Sequence, residues 1–197
     1  TVSLDGDEQE VDQEIVRVVT NLTTLGAARI VVAGETANEE RRIRRVLLQK
    51  FPRHLLGSVP LLYSWDLTAD RDARRRVWSC VINSFLHPTM ERFLYSAERR
   101  LRSYRVKNPM LVYRNDGASS RVAKAVALKT YSSGPRGGLE GTAAIARMYG
   151  LDHVVMMDIG GTTTDVGVVE SAQVTADERG TVKGVPISYP MSNVHSK

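Results

Sequence analysis

A short polar segment between two apolar runs, at residues 158–165, constrains the fold of this chain more than any other feature of its sequence. The first run, residues 154–157, ends at Asp158, and the second run, residues 166–169, begins after Asp165. The space between them holds two glycines and three threonines: Gly160, Gly161, Thr162, Thr163 and Thr164. Two short β-branched runs joined by such a segment predict an antiparallel β-hairpin.

The composition of this turn also predicts a phosphate contact. Glycine lacks a Cβ atom, so the backbone at Gly160 and Gly161 can take positive φ and bring successive N–H groups close to an anion. The threonine hydroxyls supply further donors, while Asp158 and Asp165 are placed to hold a hydrated divalent cation or to orient a water molecule. The alternative is a plain hairpin with a Gly-Gly turn. Turning a chain does not require three threonines between two aspartates, which favours the phosphate site.

A second glycine-rich segment lies earlier in the chain. Residues 132–138 read Ser-Ser-Gly-Pro-Arg-Gly-Gly and are followed by apolar residues at helical spacing. A glycine-rich loop that enters a helix offers N–H groups and the positive end of the helix dipole to an anion. This segment is therefore a second candidate phosphate contact. The alternative, compatible with the first, is that small residues allow close helix packing; the spacing matches neither the dinucleotide-binding nor the P-loop pattern.

The remainder of the chain predicts helices that alternate with short strands, which is an α/β pattern. Apolar spacing predicts a helix from Val11 that Gly26 ends, and a second helix that Asn38 caps. Residues 28–33 and 59–63 suit short buried strands. A long helical region follows Asp70, and we expect Pro88 to break or restart it.

Residues 110–121 predict a strand followed by a turn, and two explanations of this turn are open. The strand at residues 110–113 is followed by Asn115-Asp116-Gly117, which is either a ligand-binding turn at the carboxyl end of a strand or a simple Asp-Gly turn. On these residues alone the simple turn is favoured. Ser119 or Ser120 is expected to cap a short helix that reaches Leu128.

Charge and composition exclude several classes of protein. The net charge is +5, yet the arginines fall in helical clusters interleaved with acids such as Glu39 and Glu40, so solvated helix faces explain them and we expect no nucleic-acid partner. No apolar run approaches the roughly 20 residues of a membrane span, so we expect a cytoplasmic protein without a membrane partner. Cys80 is the only cysteine, which excludes an intrachain disulfide, and we expect it to be a buried thiol.

The two glycine-rich segments together resemble those of a known family. The pattern Asp158-x-Gly-Gly-Thr-x-Thr-Asp165 is similar to the phosphate-binding hairpin of the actin, sugar-kinase and 70-kDa heat-shock ATPase superfamily. With Ser133-Gly-Pro-x-Gly-Gly138 before it, the chain resembles the hydantoinase A / 5-oxoprolinase / acetone carboxylase family. Weaker matches are Glu40-Arg41-Arg42 and the Asn83 to Leu94 stretch. Arg136 stands where the family's loop usually has a small residue, and Ala118 stands where a second glycine is common; the sequence assigns no role to Arg136 or to His195.

The resemblance implies a fold and a division of the chain. The fold is expected to be α/β, of the actin-like ATPase (ribonuclease H-like) type, with a mixed sheet and flanking helices. Residues 1–56 would be the end of the family's N-terminal domain, and residues 57–197 the first part of its hydantoinase A-type domain. Family members carry an earlier hairpin of the same type and a later glycine-rich stretch, so the chain is expected to be the central part of a longer one.

The resemblance also implies an activity. Family members use ATP and a divalent metal such as Mg²⁺ to activate a cyclic amide or ketone oxygen by phosphorylation, for ring opening or carboxylation. The residues at 160–164 would hold the phosphates with Ser133, Gly134, Gly137 and Gly138 alongside, and Asp158 and Asp165 would bind the metal or its waters as the catalytic carboxylates. A small-molecule substrate and a second, hydantoinase B-like subunit would be the partners. The open alternative is a non-catalytic module of the same fold that senses nucleotide or reactivates a partner enzyme.

Overall fold

A computed structural model describes residues 2–51 and 59–197, which form two compact units, Thr1–Ser84 and Phe85–Lys197. The boundary between these units lies inside a single long helix, Ala73–Ser103. The domain boundary predicted between residues 56 and 57 lies outside the described residues and stays a prediction.

The first unit is built around one parallel strand pair. Its elements are α1 (Glu8–Thr24), β1 (Ile30–Val32), α2 (Ala37–Lys50), β2 (Leu61–Tyr63), α3 (Ser64–Leu67) and the beginning of α4 (Ala73–Ser103). Ile30 lies opposite Leu61 in a parallel register, so α2 is the connection that parallel strands require. Apolar residues of α1 and α2 pack with Ile30 into a core of Val11, Ile15, Val19, Val46 and Leu47. Because the apolar residues of each helix recur at helical spacing, they lie on one side of that helix and are buried there together.

The start of α2 corrects a prediction. Thr36, and not Asn38, is the N-cap: the Glu39 N–H donates to Thr36 Oγ1 at 3.3 Å. The Glu39 carboxylate in turn accepts from the Thr36 hydroxyl at 3.0 Å and from the Glu35 N–H at 2.8 Å. This reciprocal arrangement is of the capping-box type. It satisfies the backbone N–H groups of Glu35 and Glu39, which a cap at Asn38 would leave without partners.

A buried polar cluster in the first unit corrects the expectation that the arginines and acids are solvated. Arg76 is fully buried, and its guanidinium lies 4.1 Å from the centre of the Trp65 ring. It donates to the Gly34 carbonyl at 2.5 Å and to the Ser64 hydroxyl at 3.3 Å. Ser64 donates to Glu40, which is also buried, at 2.5 Å. Buried charges require such partners, so Arg76 and Glu40 are structural residues. Cys80, the predicted buried thiol, is indeed buried.

Helix α4 continues through Pro88, so the prediction that Pro88 breaks or restarts this helix is wrong. A proline removes one backbone donor, but α4 is 31 residues long, and a single missing bond is a small part of its hydrogen-bond ladder. No helix among the described residues is long and apolar enough to cross a membrane.

The second unit contains the end of α4 and a series of short strands around one helix. Its elements are β3 (Leu111–Tyr113), β4 (Ser119–Arg121), a 3₁₀ turn (Val122–Lys124), α5 (Ala127–Thr130), α6 (Ser133–Tyr149), β5 (His153–Ile159), β6 (Thr164–Glu170), β7 (Gln173–Val174), β8 (Ala176–Asp177), β9 (Thr181–Val182), β10 (Val185–Pro186), β11 (Met191–Ser192) and β12 (Val194–Ser196). The main sheet has the order β12–β6–β5, with β7 also paired to β6, and all of its pairs are antiparallel.

The segment after β3 turns back as a strand. Gly117 has φ 79°, and the Ala118 N–H donates to Asp116 Oδ1 at 3.1 Å, so the predicted Asp-Gly turn is present. A ligand contact at this turn stays a prediction. Because this turn pairs β4 with β3 in an antiparallel register, Ser119 and Ser120 lie in a strand and do not cap a helix. The prediction of a helix that starts there is wrong.

Helix α6 covers one face of the main sheet. Leu139, Ala143 and Ala146 on the helix form a buried cluster with Met156 and Val169 on the strands. The opposite face of β5 leaves Val155, Met157 and Ile159 exposed. Side chains alternate along a strand, so Asp158, two residues after Met156, projects on the side that α6 covers.

Candidate functional site

The predicted hairpin is present, and it places the two aspartates opposite each other. Strands β5 and β6 pair from His153 and Glu170 to Ile159 and Thr164, and Asp158 lies directly opposite Asp165. Directly opposed residues project on the same face of a sheet, where two negative charges repel each other. A cation between them would remove that repulsion, which is the arrangement that a metal site needs.

The turn of the hairpin is residues 160–163, closed by the Gly160 N–H, which donates to the Thr163 carbonyl at 2.9 Å. Neither Gly160 nor Gly161 uses the positive φ that glycine permits. The reason for glycine at 160 is instead the closeness of the turn, because a Cβ there would lie 3.2 Å from the Thr163 carbonyl oxygen. Gly161 faces open space. The phosphate contact of residues 160–164 stays a prediction.

The second glycine-rich segment forms the first turns of helix α6. The helix begins at Ser133, and Ser132 is its N-cap with a left-handed φ of 55°. The expected loop before a helix is therefore wrong, because the Arg136 N–H already donates to the Ser132 carbonyl at 3.2 Å. Helix N-termini leave their first N–H groups without intrahelical partners, and Pro135 has no N–H to offer. The N–H groups of Ser133 and Gly134 remain the candidates for an anion.

The other two glycines of this segment lie against neighbouring elements. A Cβ on Gly137 would lie 3.7 Å from the Tyr113 ring, and one on Gly138 would lie 2.8 Å from Sδ of Met156. Gly138 therefore allows close packing of α6 on β5, which was the alternative explanation for these small residues. A phosphate contact of Gly137 or Gly138 stays a prediction.

One pocket joins the hairpin to the start of α6. Its volume is about 330 Å³, and Asp165, Ser132 and Pro135 are on its wall. The remaining wall residues are Tyr131, Asp177, Thr181, Lys183, Met191, Ser192, Asn193, Val194 and Ser196. Asp165 is thus the predicted site residue that lines the pocket, and the predicted segment at residues 133–138 reaches it through Pro135. Of the other predicted residues, all of which the structure describes, none is on this wall.

Sequence reasoning missed Asp177 and Lys183. Asp177 ends β8, which pairs with β11, and Lys183 follows β9 in the turn to β10. These strands are two residues long, which is too short to leave a periodic pattern in the sequence. The signal available was only that residues 170–184 are polar with two glycines.

Arg136, to which the sequence assigned no role, is held in place by side chains. Its Nε and one terminal nitrogen donate to Glu140 Oε1 at 3.0 and 2.6 Å, and the other terminal nitrogen donates to Ser192 Oγ at 3.3 Å. The side chain is only 12% exposed. Because Ser192 is on the pocket wall, Arg136 ties that wall to α6.

The donor chemistry of the two aspartates fits Mg²⁺. Within residues 2–51 and 59–197 no group of three or more His, Cys, Asp or Glu side chains is arranged to hold a metal ion. Magnesium is often held by only one or two carboxylates, with water and substrate phosphates as its other ligands. Asp158 and Asp165 provide such a pair, and their assignment as metal ligands stays a prediction.

Comparison with known proteins identifies the class and then the family. The chain shares its α/β fold with two solved structures, which confirms the predicted α/β fold class. The family described as hydantoinase/oxoprolinase matches residues 76–196, and the chain belongs to that family. The resemblance drawn from the two glycine-rich segments is thereby confirmed.

Two solved structures carry the same fold. A nucleotide-free structure of acetone carboxylase, from work on ATP-dependent acetone carboxylation, matches with a TM-score of 0.82 and 22% identity over 96% of this chain and 27% of that one. The ATP-dependent caprolactamase from Pseudomonas jessenii matches with a TM-score of 0.75 and 16% identity over 94% of this chain and 27% of that one.

Two curated relatives match in sequence. The acetophenone carboxylase gamma subunit of Aromatoleum aromaticum is 27% identical over 168 residues, which are 83% of this chain and 23% of the relative. The caprolactamase subunit alpha of Pseudomonas jessenii is 23% identical over 123 residues, which are 61% of this chain and 18% of the relative. The chain thus spans about a quarter or less of the length of these relatives.

Proposed function

We propose that this chain is the nucleotide-binding part of an ATP-dependent enzyme subunit that activates an amide or ketone oxygen by phosphoryl transfer. The observation that carries the proposal is the pocket where Asp165 meets the N-terminal end of α6. In an enzyme of this kind, catalysis is mostly the positioning of phosphates and the stabilisation of their charge. A hydrolase of cyclic amides is the specific activity we propose, with a ketone carboxylase as the other member of the same class.

The residues divide into two groups with different tasks. The carboxylates of Asp158 and Asp165 would hold Mg²⁺, which supplies positive charge between the reacting phosphate oxygens when it is bound. The hairpin turn would supply N–H and hydroxyl donors from Gly160, Gly161, Thr162, Thr163 and Thr164. The start of α6 would add the N–H groups of Ser133 and Gly134 and the positive end of the helix dipole, with Gly137 and Gly138 bringing the helix close to the sheet.

The proposal includes partners. The relatives are named as a gamma subunit and as a subunit alpha, which supports a second, hydantoinase B-like subunit for this protein. The substrate would be a small molecule with an amide or ketone oxygen.

Isothermal titration of the full-length protein with ATP and Mg²⁺ tests the proposal. We expect binding by the wild type and a loss of at least tenfold in affinity for Asp165→Asn, because one charge-assisted contact is worth about 1.5–3 kcal/mol. Asp152→Asn is the matched control, since Asp152 is an exposed aspartate directly before β5. Equal binding by wild type and Asp165→Asn, or no binding by either, would contradict the proposal.

Product analysis then separates the enzyme from the non-catalytic module. ATP hydrolysis that is coupled to the opening of hydantoin or oxoproline, or to ketone carboxylation, supports the enzyme. ATP binding without any coupled turnover in the presence of the partner subunit supports the nucleotide sensor or reactivator.

A further inference from the structure

An exposed lysine that has no partner among the described residues lies on the wall of the candidate site. Lys183 lines the pocket of about 330 Å³ together with Asp165 and Asp177. Among the described residues, Lys183 takes part in no ion pair, hydrogen bond or ring contact. It is also the only basic residue on the pocket wall in the part of the chain that the structure describes. Its ammonium group therefore remains available to an anion from outside the protein.

Several other polar residues of the wall are suited to the same kind of ligand. Ser132, Thr181, Ser192 and Ser196 contribute hydroxyl groups, and Asn193 contributes an amide. Each of these groups can donate a hydrogen bond to a phosphate oxygen. Pockets that bind small ligands typically have volumes of about 300–1,000 Å³, so this one has room for a chain of phosphates.

The turn that carries Lys183 fixes the position of its backbone. Val182 pairs with Val185, so Lys183 and Gly184 alone connect β9 and β10, with φ values of 49° and 80°. Two-residue hairpin turns with positive φ at both positions favour Asn-Gly, and an amino acid with a longer side chain is disfavoured at the first position. Turn geometry therefore does not explain the lysine, whereas its charge does.

We propose that Lys183 is the cationic contact for the phosphate chain of the nucleotide in the pocket beside Asp165. This inference rests on the proposed function, because it assumes that the pocket receives a nucleotide. A metal ion held by Asp165 would neutralise one side of the phosphate chain, and Lys183 would neutralise another. Lysine acts as a point charge with three donors, which suits phosphate oxygens that present no single fixed orientation.

The turn provides a substitution that separates charge from folding. Lys183→Asn removes the charge and creates the Asn-Gly pair that this turn favours, so the midpoint of thermal unfolding should stay the same or rise. Lys183→Arg retains the charge. Lys107→Asn is the matched control, because Lys107 is an exposed lysine that is not on the pocket wall.

Isothermal titration of the full-length protein with ATP and Mg²⁺ provides the readout. We expect Lys183→Asn to weaken ATP binding about tenfold, Lys183→Arg to bind within about threefold of the wild type, and Lys107→Asn to bind as the wild type does. The affinity of Lys183→Asn should also depend less steeply on salt concentration. If the wild type binds ATP and Lys183→Asn binds it equally well, this inference is wrong while the proposed function stands. If the wild type binds no ATP, both fail.

Discussion

A Cβ atom on Gly138 would lie 2.8 Å from Sδ of Met156, so an alanine at this position would require the buried Met156 side chain between helix α6 and strand β5 to move. The contact is matched on the neighbouring strand, where a Cβ on Gly167 would lie 2.7 Å from Cδ2 of Leu139. Met156 and Gly167 are themselves opposite each other in the β5–β6 pair. Two glycines, one on the helix and one on the sheet, thus set the distance between α6 and the hairpin that carries Asp158 and Asp165.

Gly138→Ala should therefore destabilise the protein. Alanine favours the helical state by about 1 kcal/mol over glycine, but forcing a methyl group into this contact costs about 1–3 kcal/mol. We expect a net loss of up to about 2 kcal/mol. Gly141→Ala is the control on the same helix, because nothing lies within 4 Å of its added Cβ. That change should stabilise the protein by about 0.5–1 kcal/mol in urea unfolding. Equal stabilisation by both changes would contradict the packing argument.

Thr36→Ala should weaken the start of α2. The change removes the hydroxyl that accepts from the Glu39 N–H at 3.3 Å, and loss of such a cap costs about 1 kcal/mol. Glu39→Gln should cost less, because glutamine can also complete a capping box. Equilibrium unfolding of both variants checks this, and a larger cost for Glu39→Gln than for Thr36→Ala would show that the carboxylate charge matters more than the cap.

Asp116 should make stability depend on pH in the acid range. Burial acts to raise the pKa of Asp116, but the hydrogen bonds from Arg114 and the Ala118 N–H, with the charges of Arg114 and Lys129, lower it overall. A carboxyl whose pKa is lower in the folded state stabilises the protein above its unfolded pKa of about 3.9 and loses this effect as the pH falls through the folded value.

Asp116→Asn therefore should cost about 1 kcal/mol near pH 7, and this difference from the wild type should shrink below about pH 4. Unfolding measured at several pH values between 2 and 7 checks this expectation. A difference that remains constant over the whole range would mean that the ionised carboxylate contributes nothing.

Cys80 should react slowly in the native protein. Burial raises the pKa of the Cys80 thiol to about 11, and the nearby negative charges of Glu40 and Asp66 act in the same direction. The thiolate is the reactive form, so at pH 8 very little of it is present in the folded state. Labelling with a thiol reagent should be at least tenfold slower before denaturation than after it. Rapid labelling of the native protein would contradict the burial of this side chain.

The hairpin could be predicted from sequence because its apolar runs and polar turn form a pattern local to the chain. The start of α6 could not, since glycine and proline both have low helix propensity and residues 133–138 contain four of them. Tertiary packing explains the glycines at the start of α6, because the proximity of Gly137 to Tyr113 and of Gly138 to Met156 exists only in the folded state.

Only part of the candidate site could be predicted from the sequence, for a similar reason. Asp165 could be selected because it belongs to a spaced motif with Asp158. Asp177 ends a two-residue strand and Lys183 lies in the turn between two others, so their place beside Asp165 depends on the pairings with β11 and β10. Arg76 shows the same limit in the first unit, because its burial depends on Trp65, Ser64 and Gly34, which are distant from it in sequence.

Strand β6 is hydrogen-bonded along both of its edges. Strand β5 pairs with its whole length on one side, while β12 covers residues 165–167 and β7 covers residues 169–170 on the other. Backbone amides that are hydrogen-bonded in this way exchange their hydrogens with solvent only when a large part of the structure unfolds. Two-residue strands unfold locally more readily. We therefore expect the backbone of Asp165 to exchange slowly, and the two-residue strands on either side of Lys183 to open more readily.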